Sequence, residues 1–173
     1  MGMGRKIITL LMLVGFLWVL EPVKPLAQSG DVFNQSGLPL PRFVSLRSNK
    51  VFVRTGPALR YPIKWVYVKQ GLPVEIIQEF DTWRKIRDLN GQEGWIHQSL
   101  LSGRRKALVN TKEDVFLVRK PISEAKQVAI LEPKVIVTLK ECSGAWCSAE
   151  VGSFEGWIEK KSLWGVYEAE ELD

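Results

Sequence analysis

Histidine occurs once and cysteine twice in the 173 residues of this chain. That scarcity excludes much chemistry. A structural zinc site wants about four ligands, and no second cysteine pair stands beside Cys142 and Cys147. A thiol nucleophile needs its base within hydrogen-bond reach, yet the single histidine, His97, belongs to the other of two sequence repeats. Sustained helical periodicity is also missing, which argues against a helical fold. A membrane-spanning helix needs about 20 apolar residues, and the longest apolar run, Ile7 to Leu20, has fourteen. The expectation is therefore a protein that is not an enzyme and has no metal and no cofactor.

What the chain does have begins with that short run. Arg5 and Lys6 precede it, and Glu21-Pro22 and a polar, proline-containing stretch follow. This is the layout of a secretory signal peptide, expected over residues 1–29 with Ala27 and Ser29 as the small residues near the cleavage point. The rival reading is an uncleaved leader, which would be the only contact with a membrane. No cysteine lies near the end of the run, so lipid attachment there is excluded. The expected location is periplasmic or otherwise exported.

Behind the leader the chain repeats itself. Asp81-Thr82-Trp83-Arg84 is followed by Glu93-Gly94-Trp95-Ile96 and Ser99-Leu100, and Gly144-Ala145-Trp146-Cys147 by Glu155-Gly156-Trp157-Ile158 and Ser162-Leu163. A spacing of about sixty residues is too long for a solenoid unit and suits one very small domain. Seven tryptophans in so short a chain, six of them behind the leader, help such domains, because each aromatic side chain buries about 150–250 Å². The expected organisation is a flexible lead-in over 30–41, a barrel over 42–103, a basic linker at 104–106, a second barrel over 107–168 and an acidic tail at 169–173. So brief a linker implies a restricted arrangement of the two barrels.

Charge divides the repeats. Residues 42–106 carry 13 basic and 5 acidic side chains, and residues 107–173 carry 8 and 12. In an exported protein nucleic acid is not an expected partner. The anionic candidates are cell-wall peptides with free carboxylates, lipid head groups and acidic proteins. A solvated surface with incidental charge and a contact between oppositely charged repeats are the competing readings.

Short β-like segments recur in each repeat: Val51 to Arg54, Trp65 to Val68, Val74 to Phe80, Trp83 to Asp88 and Gly94 to Ile96, then Val115 to Val118, Gln127 to Leu131, Val135 to Cys142, Trp146 to Val151 and Gly156 to Ile158. Asn90-Gly91 reads as a two-residue hairpin, and Gln98 to Leu101 as one helical turn. Five short strands cannot cover both faces of an open sheet, so the fold class is all-β, with two tandem small, strongly bent barrels.

Val53-Arg54-Thr55-Gly56-Pro57, a glycine before a β-rich segment, a tryptophan-bearing strand and then Gly-Trp-Ile resemble the bacterial SH3-like (SH3b) domains. Residues 41–168 are similar to exported two-repeat proteins of this kind found in alphaproteobacteria, especially at Gly71-Leu72-Pro73-Val74-Glu75, from His97 to Arg105, and at Leu163-Trp164-Gly165-Val166-Tyr167. The resemblance implies two SH3-like barrels and a binding role. Related modules are often attached to cell-wall hydrolases and recognise peptidoglycan or its peptides. The second repeat departs from the pattern, since Arg119-Lys120-Pro121 lacks the glycine before proline.

Candidate residues follow. Four residues separate Cys142 from Cys147 and include Ser143-Gly144, enough for a hairpin that brings the two thiols together in an oxidising compartment. Two free thiols are the alternative. Trp65 and Tyr67 share one face of their strand and Val66 and Val68 the other, and the aliphatic face is expected to point to the core. An aromatic face left open beside Arg54, Tyr61 and the Gly56-Pro57 loop makes a groove for a peptide or sugar, with Arg54 pairing a carboxylate. Arg54 also has a structural reading, because Arg119 matches it in the second repeat and both are able to bond backbone carbonyls. His97 is a further binding candidate, against a reading as a surface residue bonded to a neighbouring carbonyl. Trp83, Trp95, Trp146 and Trp157 recur at matched positions and are expected to be structural. The function expected is a non-catalytic binding or adaptor protein of the cell envelope, recognising peptidoglycan or an extended peptide. The alternative is a structural interaction module for an envelope partner protein.

Overall fold

A computed structural model describes Met1 and residues 34–173. The expected leader lies outside these residues. Alternating apolar positions build fourteen strands. The first half forms β1 (Arg42–Leu46), β2 (Val51–Arg54), β3 (Ile63–Tyr67), β4 (Pro73–Phe80), β5 (Trp83–Arg87), β6 (Glu93–His97) and β7 (Leu101–Ser102). The second forms β8 (Lys106–Val109), β9 (Val115–Val118), β10 (Gln127–Leu131), β11 (Ile136–Ser143), β12 (Trp146–Val151), β13 (Phe154–Glu159) and β14 (Leu163–Trp164). They make two seven-stranded sheets, in the orders β3-β2-β6-β5-β4-β1-β7 and β10-β9-β13-β12-β11-β8-β14. The order is the same in both, and each sheet bends round its own aliphatic core, with Val51, Val53, Ile86 and Ile96 at the centre of one and Leu117, Val137, Ala149 and Ile158 at the centre of the other.

The repeated Glu-Gly-Trp-Ile motif now has a cause. A Cβ at Gly94 would lie 2.4 Å from a methyl carbon of Val53, and one at Gly156 would lie 2.7 Å from the Val118 carbonyl oxygen. β6 and β13 therefore cross β2 and β9 only because glycine stands there. Trp95 and Trp157, next along, face outward and are half-buried. Trp83 is buried, with its ring edge-on to His97.

Three expectations need correction. Asn90-Gly91 is not a two-residue turn. The loop runs from Asp88 to Gln92, with the Asp88 carboxylate accepting from the amides of Asn90 and Gln92, both at 2.9 Å, and with Gly91 in the left-handed region at φ 76°. The lead-in is held from Ser36 onward, because Ser36 donates to the Glu79 carboxylate from its amide at 2.7 Å and its hydroxyl at 2.8 Å. The basic linker belongs to the second barrel, since Lys106 opens β8, the Arg105 carbonyl accepts from the Leu139 amide at 2.9 Å, and the Arg105 guanidinium pairs with Glu170. The acidic tail is likewise bound. Leu172 and Cys142 exchange both backbone hydrogen bonds, at 2.8 and 3.0 Å.

The sheets carry matched bulges, between Ile76 and Gln78 in β4 and between Leu139 and Glu141 in β11. Just beyond each bulge the same cross-strand position is locked by different chemistry. In the first barrel Glu79 faces Arg84, and in the second Cys142 faces Cys147. The cysteines form the expected disulfide. Glu79 is wholly buried and pairs with Arg42 at 2.5 Å and Arg84 at 3.2 Å. Each lock also ties down a terminal segment: Ser36 on Glu79, Leu172 on Cys142.

The barrels pack against each other. The Phe43 ring of β1 lies 5.0 Å from that of Trp164 and 4.7 Å from that of Tyr167. Beside it the Tyr167 hydroxyl donates to Glu75 at 2.8 Å, and Glu75 accepts from Arg87 at 2.9 Å. Burial and the bond to Glu75 push the Tyr167 phenol well above its usual range. It therefore remains a donor.

Candidate functional site

β3 ends the first sheet and so presents one unpaired edge. Together with β2 and the loop between them it gathers four of the five expected binding residues. The structure reverses the expected facing of β3. Trp65 and Tyr67 pack inward against the core cluster, while Val66 and Val68 are 38% and 78% exposed. An indole buries more area than a valine side chain, and Trp65 reaches over Gly94, its ring 3.2 Å from where a Gly94 Cβ would stand. Its ring meets that of Tyr67 edge-on at 6.0 Å. The Tyr67 hydroxyl donates to Asp88 at 2.9 Å, and burial together with that bond pushes the phenol far above its usual range.

Arg54 takes its structural role. Its guanidinium donates to the carbonyls of Leu59 at 3.0 Å and Tyr61 at 2.8 Å, which shapes the loop after β2. The expected match with Arg119 is off by one residue. Arg54 stands opposite Trp95 as Val118 stands opposite Trp157, so the buried Val118 is its counterpart and Arg119 is exposed. The arginine-held loop is thus a property of the first barrel. Gly56 completes it, because a Cβ there would lie 2.7 Å from the Tyr61 ring. Tyr61 rests on that glycine with the Arg60 guanidinium 5.2 Å from its ring centre.

His97 does not join this group. It caps the short 3-10 turn Gln98–Leu100, with Nδ1 2.8 Å from the Ser99 hydroxyl and accepting from the Ser99 amide.

Sequence reasoning missed the residues that form the outer layer. Lys50 lies 5.4 Å from the Phe52 ring centre, Arg60 over Tyr61, and Lys64 5.1 Å from Trp65, so three cations sit on three aromatic rings along one hairpin. Lys64 is also steered by the Glu93 carbonyl at 2.9 Å. Phe52 and Val66 face each other across β2 and β3 and are 36% and 38% exposed. The second barrel repeats this pair with Phe116 and Ile130, 47% and 61% exposed. The register of the two strands was the signal available: each aromatic at the second position of Val-Phe pairs with a β-branched residue one strand on.

Two bent seven-stranded sheets, with a cation-layered hairpin at an open edge of the first, define a tandem of small all-β domains. The bacterial SH3 domain family matches at residues 47–103 and again at 111–165, and the chain belongs to that family. Among solved structures, NlpC2 from Trichomonas vaginalis is similar at 13% identity over 72% of this chain and 48% of that one, with a TM-score of 0.33. NlpC1 from the same organism is similar at 14% identity over 76% of this chain and 48% of that one, also with a TM-score of 0.33. This chain spans about half the length of those proteins. No curated protein matches it.

Proposed function

We propose that this chain is an exported, non-catalytic binding protein of the cell envelope, and that the β2–β3 hairpin of its first barrel holds an extended peptide bearing carboxylates, the chemistry of peptidoglycan peptides. The observation that carries the reading is the layering of Lys50, Arg60 and Lys64 over Phe52, Tyr61 and Trp65. Such a surface offers the apolar area of Phe52 and Tyr61 to a peptide body and unneutralised cations to its carboxylates, beside a strand edge with free backbone groups. Membership of the bacterial SH3 family supports a cell-wall-related role. The disulfide supports an oxidising compartment. It also occupies both cysteines, which leaves no thiol for a cysteine–histidine mechanism.

The test is retention of residues 34–173 on purified peptidoglycan. Arg60→Ala combined with Lys64→Ala is expected to weaken retention several-fold with unfolding unchanged to within about 0.5 kcal/mol, and retention is expected to fall as salt rises. Retention that ignores both changes sinks the reading. A second reading, docking of an envelope partner protein, is favoured by the exposed Phe52/Val66 and Phe116/Ile130 pairs. It predicts loss of capture from envelope extract on Phe52→Ser with Phe116→Ser, at unchanged peptidoglycan retention.

A further inference from the structure

At the far end of the first sheet from β3, where β1 and β7 meet the start of the second barrel, lies a groove of about 510 Å³. Arg47, Arg104 and Lys106 line it, together with Ser45, Gln70 and Ser102. It lies where the first barrel passes into the second, since Arg47 follows β1 and Lys106 begins β8.

Its neutral polar side chains each make a bond within the protein. Ser45 donates to the Arg104 carbonyl at 2.9 Å, the Ser102 hydroxyl accepts from the Arg104 amide at 3.2 Å, and Gln70 donates to the Arg47 carbonyl at 2.6 Å. The cations are not neutralised. Among the described residues no carboxylate pairs with Arg47, Arg104 or Lys106. Arg47 is positioned by its Nε, which donates to the Leu101 carbonyl at 3.1 Å and leaves both terminal nitrogens for a ligand. The Lys106 stem lies along Gly71, 3.0 Å from where a Cβ would be. A second hollow of about 520 Å³ continues past Arg104 and Lys106. Glu150 is held by Lys140 at 2.7 Å and also feels the Lys106 charge, but neither Glu150 nor Asp173 lines the groove itself.

A wall that carries three cations and no carboxylate favours anions. Two guanidinium groups beside an ammonium group suit an oxyanion with several oxygens, since arginine binds phosphate through paired N–H bonds. We propose that this groove is a phosphoryl-binding site built by the junction of the two barrels, separate from the hairpin of β2 and β3. The phosphoryl group belongs to a lipid headgroup at a membrane surface or to a soluble phosphate ester, and the chemistry of recognition is the same.

The experiment uses residues 34–173, which contain both barrels and every contact described. Co-sedimentation with vesicles of phosphatidylglycerol in phosphatidylcholine, against phosphatidylcholine alone, is compared with titration by inorganic phosphate and glycerol phosphate, followed by the amide resonances of Arg104 and Lys106. The expected result is binding in at least one arm, weakened about tenfold by Arg47→Ala with Arg104→Ala and lowered by salt. Vesicle binding without response to soluble phosphate assigns the lipid headgroup, and the reverse assigns the soluble ester. Arg104→Ala alone, a change at an exposed side chain, guards against misfolding and is expected to give part of the loss. Arg60→Ala with Lys64→Ala is expected to leave this binding intact, so failure of the peptidoglycan reading is distinguishable. Absence of binding in both arms, or equal binding by the double variant, overturns the proposal.

Discussion

Glu79 shows at one residue how a buried charge is made tolerable. Burial alone would raise its carboxyl above the usual value, but the bond from Arg42 and the two from Ser36 outweigh burial and hold it below 4.5. Glu170 is held low in the same way by Arg105 and the Tyr167 amide. A carboxyl whose folded pKa lies below its unfolded one adds stability above the unfolded value and loses it as pH falls through the folded one. Both barrels should therefore weaken together in acid, below about pH 4.5. Glu79→Gln should cost about 3 kcal/mol at neutral pH, because Arg42 and Arg84 lose their partner, and should flatten the acid dependence of the first barrel. Denaturant unfolding at neutral and acid pH reads both effects, and an unchanged pH slope would contradict the account. Arg54→Ala is a smaller lesion of the same type. It frees two carbonyls in a partly exposed loop and should cost about 1 kcal/mol, with Tyr61 amide exchange rising while the Ile96 core stays protected.

At the scale of the element, the paired positions beyond the bulges make a direct comparison. Cys142→Ser opens a loop whose cysteines are five residues apart and should lower the stability of the second barrel by about 2 kcal/mol. Thermal unfolding with and without reductant measures it. The first barrel should accept the other lock: Glu79→Cys with Arg84→Cys should oxidise, titrate no free thiol, and lose the acid sensitivity that Glu79 confers. The hairpin strands were legible in the sequence because Val51 to Val53, Val74 to Phe80 and their repeats are short β-prone runs bounded by turn residues. β1 and β8 were missed, since Arg42 to Leu46 and Lys106 to Val109 are short and sit in polar or basic surroundings that read as linker. A period of two also says that a strand has two faces without saying which is inside. That is why β3 was read inside out: the deciding contact, the Trp65 ring above Gly94, joins residues far apart in the chain. The candidate loop was found from Gly56-Pro57 and Tyr61, but its cations Arg60 and Lys64 have no local signature, and the shift of Arg54 against Arg119 was visible only in the strand register.

The whole molecule depends on one aromatic. Phe43 is buried beneath Trp164 and Tyr167, so Phe43→Ala should remove about 3 kcal/mol or more and uncouple the barrels. Calorimetry should show one transition for the parent chain and two for the variant. A single unchanged transition would mean that the barrels do not stabilise each other.

The open outer strands have a consequence for solubility. β3 carries Lys64, a charge that discourages a second chain from pairing along the same edge. β10, Gln127–Leu131, has no charged residue and leaves Ile130 in the open beside Phe116. Crowding should therefore join molecules through their second barrels, edge to edge, long before the basic first barrels touch, and a single lysine at Ala129 or Ile130 should keep concentrated solutions clear.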